Sequence, residues 1–215
     1  ITPAGAEFSS MRSNIPLMSR YCYHRYDPTF AERARTLGKS IIVGGENYGQ
    51  GSSREHAAIN PMYLGVRCVI AMSIARIHKG NLINHGIVPM LFESRQDYER
   101  IDQDDLLEIE GFLDQIPTRR VTVRDVTKDF TFNVRLELTD SETEVVLAGG
   151  QLRYLKDQLA KAKELLLNTG KYIKEISAEL NFPSDKAFIA FFKYHEGIYP
   201  SEFRDRFTRI HMNNR

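Results

Sequence analysis

The run Ser40-Ile41-Ile42-Val43 feeds directly into Gly44–Ala58, GGENYGQGSSREHAA, and this junction constrains the fold more than any other stretch. β-Branched residues followed by four glycines and then a helix-forming segment read as strand, tight turn and helix entry. Such a turn aims backbone N–H groups at an anion. Glycines let the chain come close, and the first helical turn leaves its donors unpaired at the positive end of the dipole. Gly49 and Gly51 flank the approach, with Ser52 and Ser53 at the helix entry. Arg54 adds a planar fork suited to a carboxylate or a phosphate. The spacing fits neither the dinucleotide fingerprint G-x-G-x-x-G nor the phosphate loop ending G-K-[ST]. A plainer alternative is an N-cap serine beside a solvated Arg and Glu. A serine ringed by N–H donors and arginines can also act as a base, because those groups stabilise its alkoxide. The hydrolase elbow G-x-S-x-G has different glycine spacing.

Flanking segments continue the alternation. Residues 28–37 read as a helix stopped by Gly38, 39–43 as a buried strand, and 54–64 as a helix. Residues 66–71 form a strand, 73–84 a helix closed by Gly86, and 87–92 another strand. Strand signals then dominate at 106–109, 120–126 and 131–138, the last two joined as a hairpin around Asp125–Asp129. From Gln151 the chain turns helical, with Leu152, Leu155, Leu159, Ala162, Leu165 and Leu166 on a 3.6-residue period. Further helices are expected at 173–180, 184–195 and 200–207. Gly149-Gly150 is the only punctuation, so the expected division is an α/β domain over 1–150 and a helical domain over 151–215.

Charge divides the same way. Residues 152–215 carry 12 Lys/Arg against 8 Asp/Glu, a balance of +4, which leaves −3 for residues 1–151. The whole chain, at +1, is therefore no general polyanion binder. Cys22 and Cys68 are the only cysteines. Two thiols cannot hold a cubane iron–sulfur cluster or a four-cysteine zinc site, and none of the chain's residues is assigned to a metal. Sparse cysteine suits a reducing, cytoplasmic setting. A start at Ile1 without methionine is read as a piece of something longer.

Gly44–Ala58, with PMYLGVR at 61–67 and SIARIH at 73–78, resembles the C-terminal swivel domain of the aconitase family. The opening ITPAG and Phe8-Ser9-Ser10-Met11-Arg12 also match that domain's start, and the resemblance covers residues 1–155. It implies a swivel-type β/β/α fold and the hydro-lyase reaction that isomerises citrate and isocitrate through cis-aconitate. It makes Ser52, the first serine of GSSRE, the base that takes a proton from substrate carbon. It puts Ser53 and Arg54 on one substrate carboxylate and Arg12 on another. Gly49, Gly51, Glu55, His56, Arg76 and His78 are read as support for the loop. The family's 4Fe-4S cluster is held by cysteines of other domains, so this chain alone is expected to be inactive. Its implied partners are a tricarboxylate and the cluster-bearing domains, in cis or in trans. Homoaconitase and the isopropylmalate isomerase small subunit are the alternatives within the family.

Residues 156–207 resemble the second helix-turn-helix of AraC-type transcription factors, most specifically in Gly197-Ile198-Tyr199-Pro200-Ser201-Glu202-Phe203-Arg204. In that reading residues 173–180 cross the DNA backbone and 184–194 enter the major groove. Ser184 is the expected N-cap, and Phe188, Phe191 and Phe192 face the core. Asp185, Lys186, Ile189, Ala190 and Lys193 are then left outward, with Lys186, Ile189 and Lys193 as possible DNA contacts. The resemblance implies DNA as a weakly held partner, and a transcriptional regulator or a tricarboxylate-sensing fusion as the alternative to an enzyme.

Overall fold

The computed structural model describes residues 1–3, 5–51 and 55–212, the last four as backbone only. The chain falls into two compact units, Ile1–Gln151 and Leu152–Arg215.

The first unit opens with a 3-10 turn at Ala6–Met11 and two helices, α1 (Ile15–Ser19) and α2 (Phe30–Leu37). Gly38 ends α2 in the left-handed region, at φ 71°, where it returns its N–H to Ala34 O. A side chain there would be strained, which is why glycine serves as the stop. Then come β1 (Ser40–Gly44), α3 (His56–Tyr63), β2 (Val66–Ala71), α4 (Arg76–Asn84), β3 (Val88–Phe92) and α5 (Arg95–Arg100). β4 (Leu107–Glu108), α6 (Phe112–Gln115), β5 (Arg120–Asp125), β6 (Phe130–Arg135) and α7 (Asp140–Leu147) complete the unit.

The six strands form one sheet in the order β1-β2-β3-β6-β5-β4. β1, β2 and β3 are parallel, with Ile41 opposite Cys68 and Gly44 opposite Ala71, and then Cys68 opposite Val88. The remaining pairs are antiparallel. Parallel strands need crossover segments, here α3 and α4, and they are buried on both faces. The nearly continuous burial of β2 shows this, whereas β5 alternates buried and exposed residues as a one-sided hairpin strand should. Ile42, Ala58, Val66, Val69, Ala71, Leu82 and Ile87 form the core beneath the loops at the carboxyl ends of β1–β3.

Several local readings change. The helix expected from Ser73 begins at Arg76, because residues 73–75 instead pair with Tyr48. The strand expected at 106–109 shortens to Leu107–Glu108. Helices α1, α5, α6 and α7 are additional, and the strand expected at 131–138 runs Phe130–Arg135; Thr139 and Glu142 form the capping box of α7, the signal the strand pattern had masked.

The second unit contains α8 (Gln151–Asn168), α9 (Ile173–Glu179), α10 (Asp185–Glu196) and α11 (Pro200–Met212). Ala162, Leu166, Ile176, Leu180, Phe188, Phe192 and Phe203 make its core. Ser184 caps α10 by accepting a hydrogen bond from Ala187 N at 3.1 Å. The residues 197–204 each have a mechanical reason. Gly197 closes α10 at φ 76°, and Glu202 Oε2 accepts from Tyr199 N at 3.0 Å as α11 begins on Pro200. Phe203 enters the core. Arg204 donates to Leu166 O at 3.1 Å and Lys171 O at 2.7 Å, satisfying carbonyls at and beyond the end of α8.

Candidate functional site

The site is built where β1, β2 and β3 end. Past Gly44 the chain does not leave the sheet at once. Tyr48 forms a parallel bridge to Ile74, Tyr48 N donates to Ser73 O at 2.9 Å, and Ala75 N donates to Tyr48 O at 2.9 Å. Asn47 N adds a bond to Ser73 Oγ at 2.8 Å. The β1 and β2 loops are thus zippered together before the serine motif.

Gly49, at φ 82°, then rests directly on the ring of His78, which is fully buried in the first turn of α4. Among the described residues neither nitrogen of that ring has a hydrogen-bond partner. Burial lowers its pKa to about 4, so the imidazole is neutral at ordinary pH. Gly51, at φ 80°, has nothing within 4 Å among the described residues. Its positive φ by itself favours glycine.

Ser52, Ser53 and Arg54, the expected base and carboxylate contacts, lie outside the described residues. Glu55 occupies the N-cap of α3 and makes no side-chain cap bond. His56 Nε2–H donates to Arg12 O at 3.0 Å, and His56 O accepts from Thr2 Oγ1 at 3.2 Å. The first residue of α3 thereby holds the N-terminal segment that bears Arg12. Arg76 is exposed at the start of α4 and makes no hydrogen bond or ion pair among the described residues.

The sequence reading did not single out a second brace. Tyr23 and Tyr48 place their hydroxyls 2.5 Å apart, and Tyr48 also packs on His78 with ring centroids 5.2 Å apart. Burial raises both phenol pKa values, so each hydroxyl keeps its proton and the pair stays neutral. The available signal was Tyr48 itself, a large aromatic inside a glycine turn.

Neither cysteine fits a metal role. Cys22 and Cys68 are buried free thiols, and burial pushes Cys22 up to about 12 and Cys68 higher still. A thiolate ligand needs the opposite environment. Among the described residues no group of three His, Cys, Asp or Glu side chains could hold a metal ion.

In the second unit Lys186 and Lys193 are exposed on α10, and Lys193 Nζ sits 3.9 Å from the centroid of the Tyr199 ring. Ile189, expected outward, is partly buried and packs against the core of this unit. Its place on α10 lies closer to the Phe188/Phe192 face than the helical spacing alone indicated.

Residues 23–95 match the family model of the aconitase C-terminal domain, and residues 153–206 match a helix-turn-helix domain. A probable mitochondrial aconitate hydratase of Dictyostelium discoideum is 39% identical over 139 residues, covering 62% of this chain. The mitochondrial aconitate hydratase of Saccharomyces cerevisiae is 44% identical over 98 residues, or 45% of this chain. The chain spans 18% and 13% of the length of these two relatives. Among solved structures, the 3-isopropylmalate dehydratase LeuD of Methanocaldococcus jannaschii superposes with a TM-score of 0.59 at 30% identity. That match covers 70% of this chain and 83% of the other. The mitochondrial names of the relatives overturn the cytoplasmic setting inferred from cysteine usage. Few, unpaired thiols indicate a reducing environment, which does not single out the cytosol. With the swivel-type sheet, the glycine–serine loop and these matches together, the chain belongs to the aconitase C-terminal domain family and carries a helix-turn-helix domain behind it.

Proposed function

We propose that the first unit is the swivel domain of an aconitate hydratase, interconverting citrate and isocitrate through cis-aconitate. The observation that carries this reading is the hydrogen bond from His56 Nε2 to Arg12 O. It ties an arginine 44 positions away to the helix that directly follows the serine motif. In the proposal Arg12 and Arg54 bind substrate carboxylates, Ser53 adds a polar contact, and Ser52 takes the proton from substrate carbon. The cations also favour the alkoxide form that Ser52 needs as a base. A 4Fe-4S cluster, supplied by further domains, would provide the Lewis acid that handles the substrate hydroxyl. No residue described in this chain fits it. Mitochondrial relatives favour a mitochondrial setting for the enzyme.

The test is Ser52→Ala in the chain combined with cluster-bearing aconitase domains. A general base commonly contributes about 10²–10⁴-fold to turnover. We expect a loss of that size in kcat with citrate affinity largely kept. Near-normal turnover would remove Ser52 from the role.

The helix-turn-helix match over residues 153–206 favours a second reading, in which the swivel unit senses a tricarboxylate and the second unit binds DNA. Turnover by the combined protein separates the two readings.

A further inference from the structure

Tyr48 is the one aromatic residue in the turn from Gly44 to Gly51. Its ring folds back over Gly44, where an added Cβ would stand 2.8 Å from Tyr48 Cδ2. The same ring packs on His78, and His78 in turn underlies Gly49. Where the Tyr48 ring sits therefore decides where the turn meets the start of α4. Packing alone lets a ring slide, whereas a hydrogen bond at its far edge is directional. Tyr48 has such a bond: its hydroxyl lies 2.5 Å from that of Tyr23, and neither hydroxyl has another hydrogen-bond partner among the described residues.

Tyr23 reaches Tyr48 from an unusual backbone. It lies between α1 and α2 at φ 56°, in the left-handed region that a bulky side chain rarely adopts. Backbone bonds hold it there: Tyr23 N donates to Ile1 O at 2.8 Å, and Tyr23 O accepts from Tyr26 N at 2.7 Å and Asp27 N at 2.8 Å. Its ring stands edge-on against Phe30, with centroids 4.7 Å apart. A strained conformation that its surroundings enforce marks a position with a task. The one polar side-chain atom delivered by this conformation is the hydroxyl on Tyr48.

We propose that Tyr23 is a positioning residue for the hydro-lyase reaction: its hydroxyl fixes the Tyr48 ring, and through that ring the glycine turn that precedes the serine motif. This rests on the aconitase-type reading above. Tyr23 touches no substrate and moves no proton. Its contribution is geometric, because a turn that slides on its support spends less time in the reactive arrangement.

Tyr23→Phe keeps the ring and removes only the hydroxyl. In the full 215-residue chain it is expected to shift the amide NMR signals of Gly49 and Gly51. A merely stabilising bond would lower the denaturation midpoint and leave both signals in place. In the chain combined with cluster-bearing aconitase domains, at a temperature where every variant is folded, kcat should fall about threefold to tenfold, the range for one hydrogen bond. Tyr48→Phe should lose as much, and the double variant no more than either, since all three remove the same bond. Unmoved Gly49 and Gly51 signals in Tyr23→Phe overturn the assignment. So does an unchanged kcat in both single variants. In either case a loss of turnover in Ser52→Ala leaves the aconitase-type reading standing. A combined protein with no turnover at all removes that reading, and the reaction role of Tyr23 with it.

Discussion

The ring of His78 occupies the space a Cβ on Gly49 would need: Cγ and Cδ2 would stand only 2.2 Å from it. The glycine loop and the start of α4 are therefore in direct contact, with no room for even a methyl group. Gly51, two residues on, shares the same backbone handedness and has nothing within 4 Å among the described residues. The two glycines give a controlled comparison.

Gly51→Ala should cost only the left-handed conformation, roughly 1–2 kcal/mol. Gly49→Ala adds a clash with a buried ring and should cost about 3 kcal/mol or more. Chemical denaturation of the two variants measures the difference. Equal costs would mean that the loop can lift off His78.

Stability should depend on acid through His78. Its folded-state pKa is lowered from 6.5 to about 4, so the unfolded chain takes up the proton first as pH falls. The stabilisation is fully present above the unfolded value and is lost progressively between about pH 6.5 and pH 4, amounting to at most about 3 kcal/mol. His78→Phe keeps an apolar ring and should flatten that part of the profile. Parallel profiles for the variant and the unaltered chain would exclude His78 as the source.

Arg12→Lys and Arg54→Lys retain charge and lose the planar fork. In the assembled enzyme each should weaken citrate binding by about 1.5–3 kcal/mol. His56→Phe, which leaves Arg12 in place but removes the hydrogen bond to its carbonyl, should raise KM for citrate more than it lowers kcat. Steady-state kinetics on the three variants decide this, and unchanged KM in all three would move the carboxylate site elsewhere.

For the second unit, replacing Lys186 and Lys193 together by alanine should reduce the salt dependence of DNA binding by up to about two units of logarithmic slope. A unit balance of +4 gives few phosphate contacts, so binding is expected to be weak and insensitive to sequence. A salt titration of the full chain on duplex DNA checks both points. Nanomolar, sequence-selective affinity would contradict the second.

Much of the local structure was written in short stretches. The β-branched residues around Ile41–Val43 and Val66–Ile70 marked strands, Gly38 and Gly197 marked helix ends, and Ser184 marked a helix start. These signals act through backbone sterics and caps within a few residues, so no tertiary knowledge is needed to read them. The motif from Gly44 to Ala58 likewise identified the family to which the first unit belongs.

The arrangement that makes a site depended on contacts between distant residues. Nothing near Arg12 announces that its carbonyl meets His56, or that Tyr23 and Tyr48 join their hydroxyls. The zipper between Tyr48 and Ile74 delays α4 until Arg76, against the local preference for a helix from Ser73. Arg204 turns inward to the carbonyls of Leu166 and Lys171, 38 and 33 positions away in sequence. Local propensities are worth well under 1 kcal/mol per residue, whereas burying a ring or satisfying a helix-end carbonyl is worth as much or more at one position. The sequence by itself therefore determined most of the longer elements and the family they belong to, while long-range packing decided where some elements begin and which of their side chains meet.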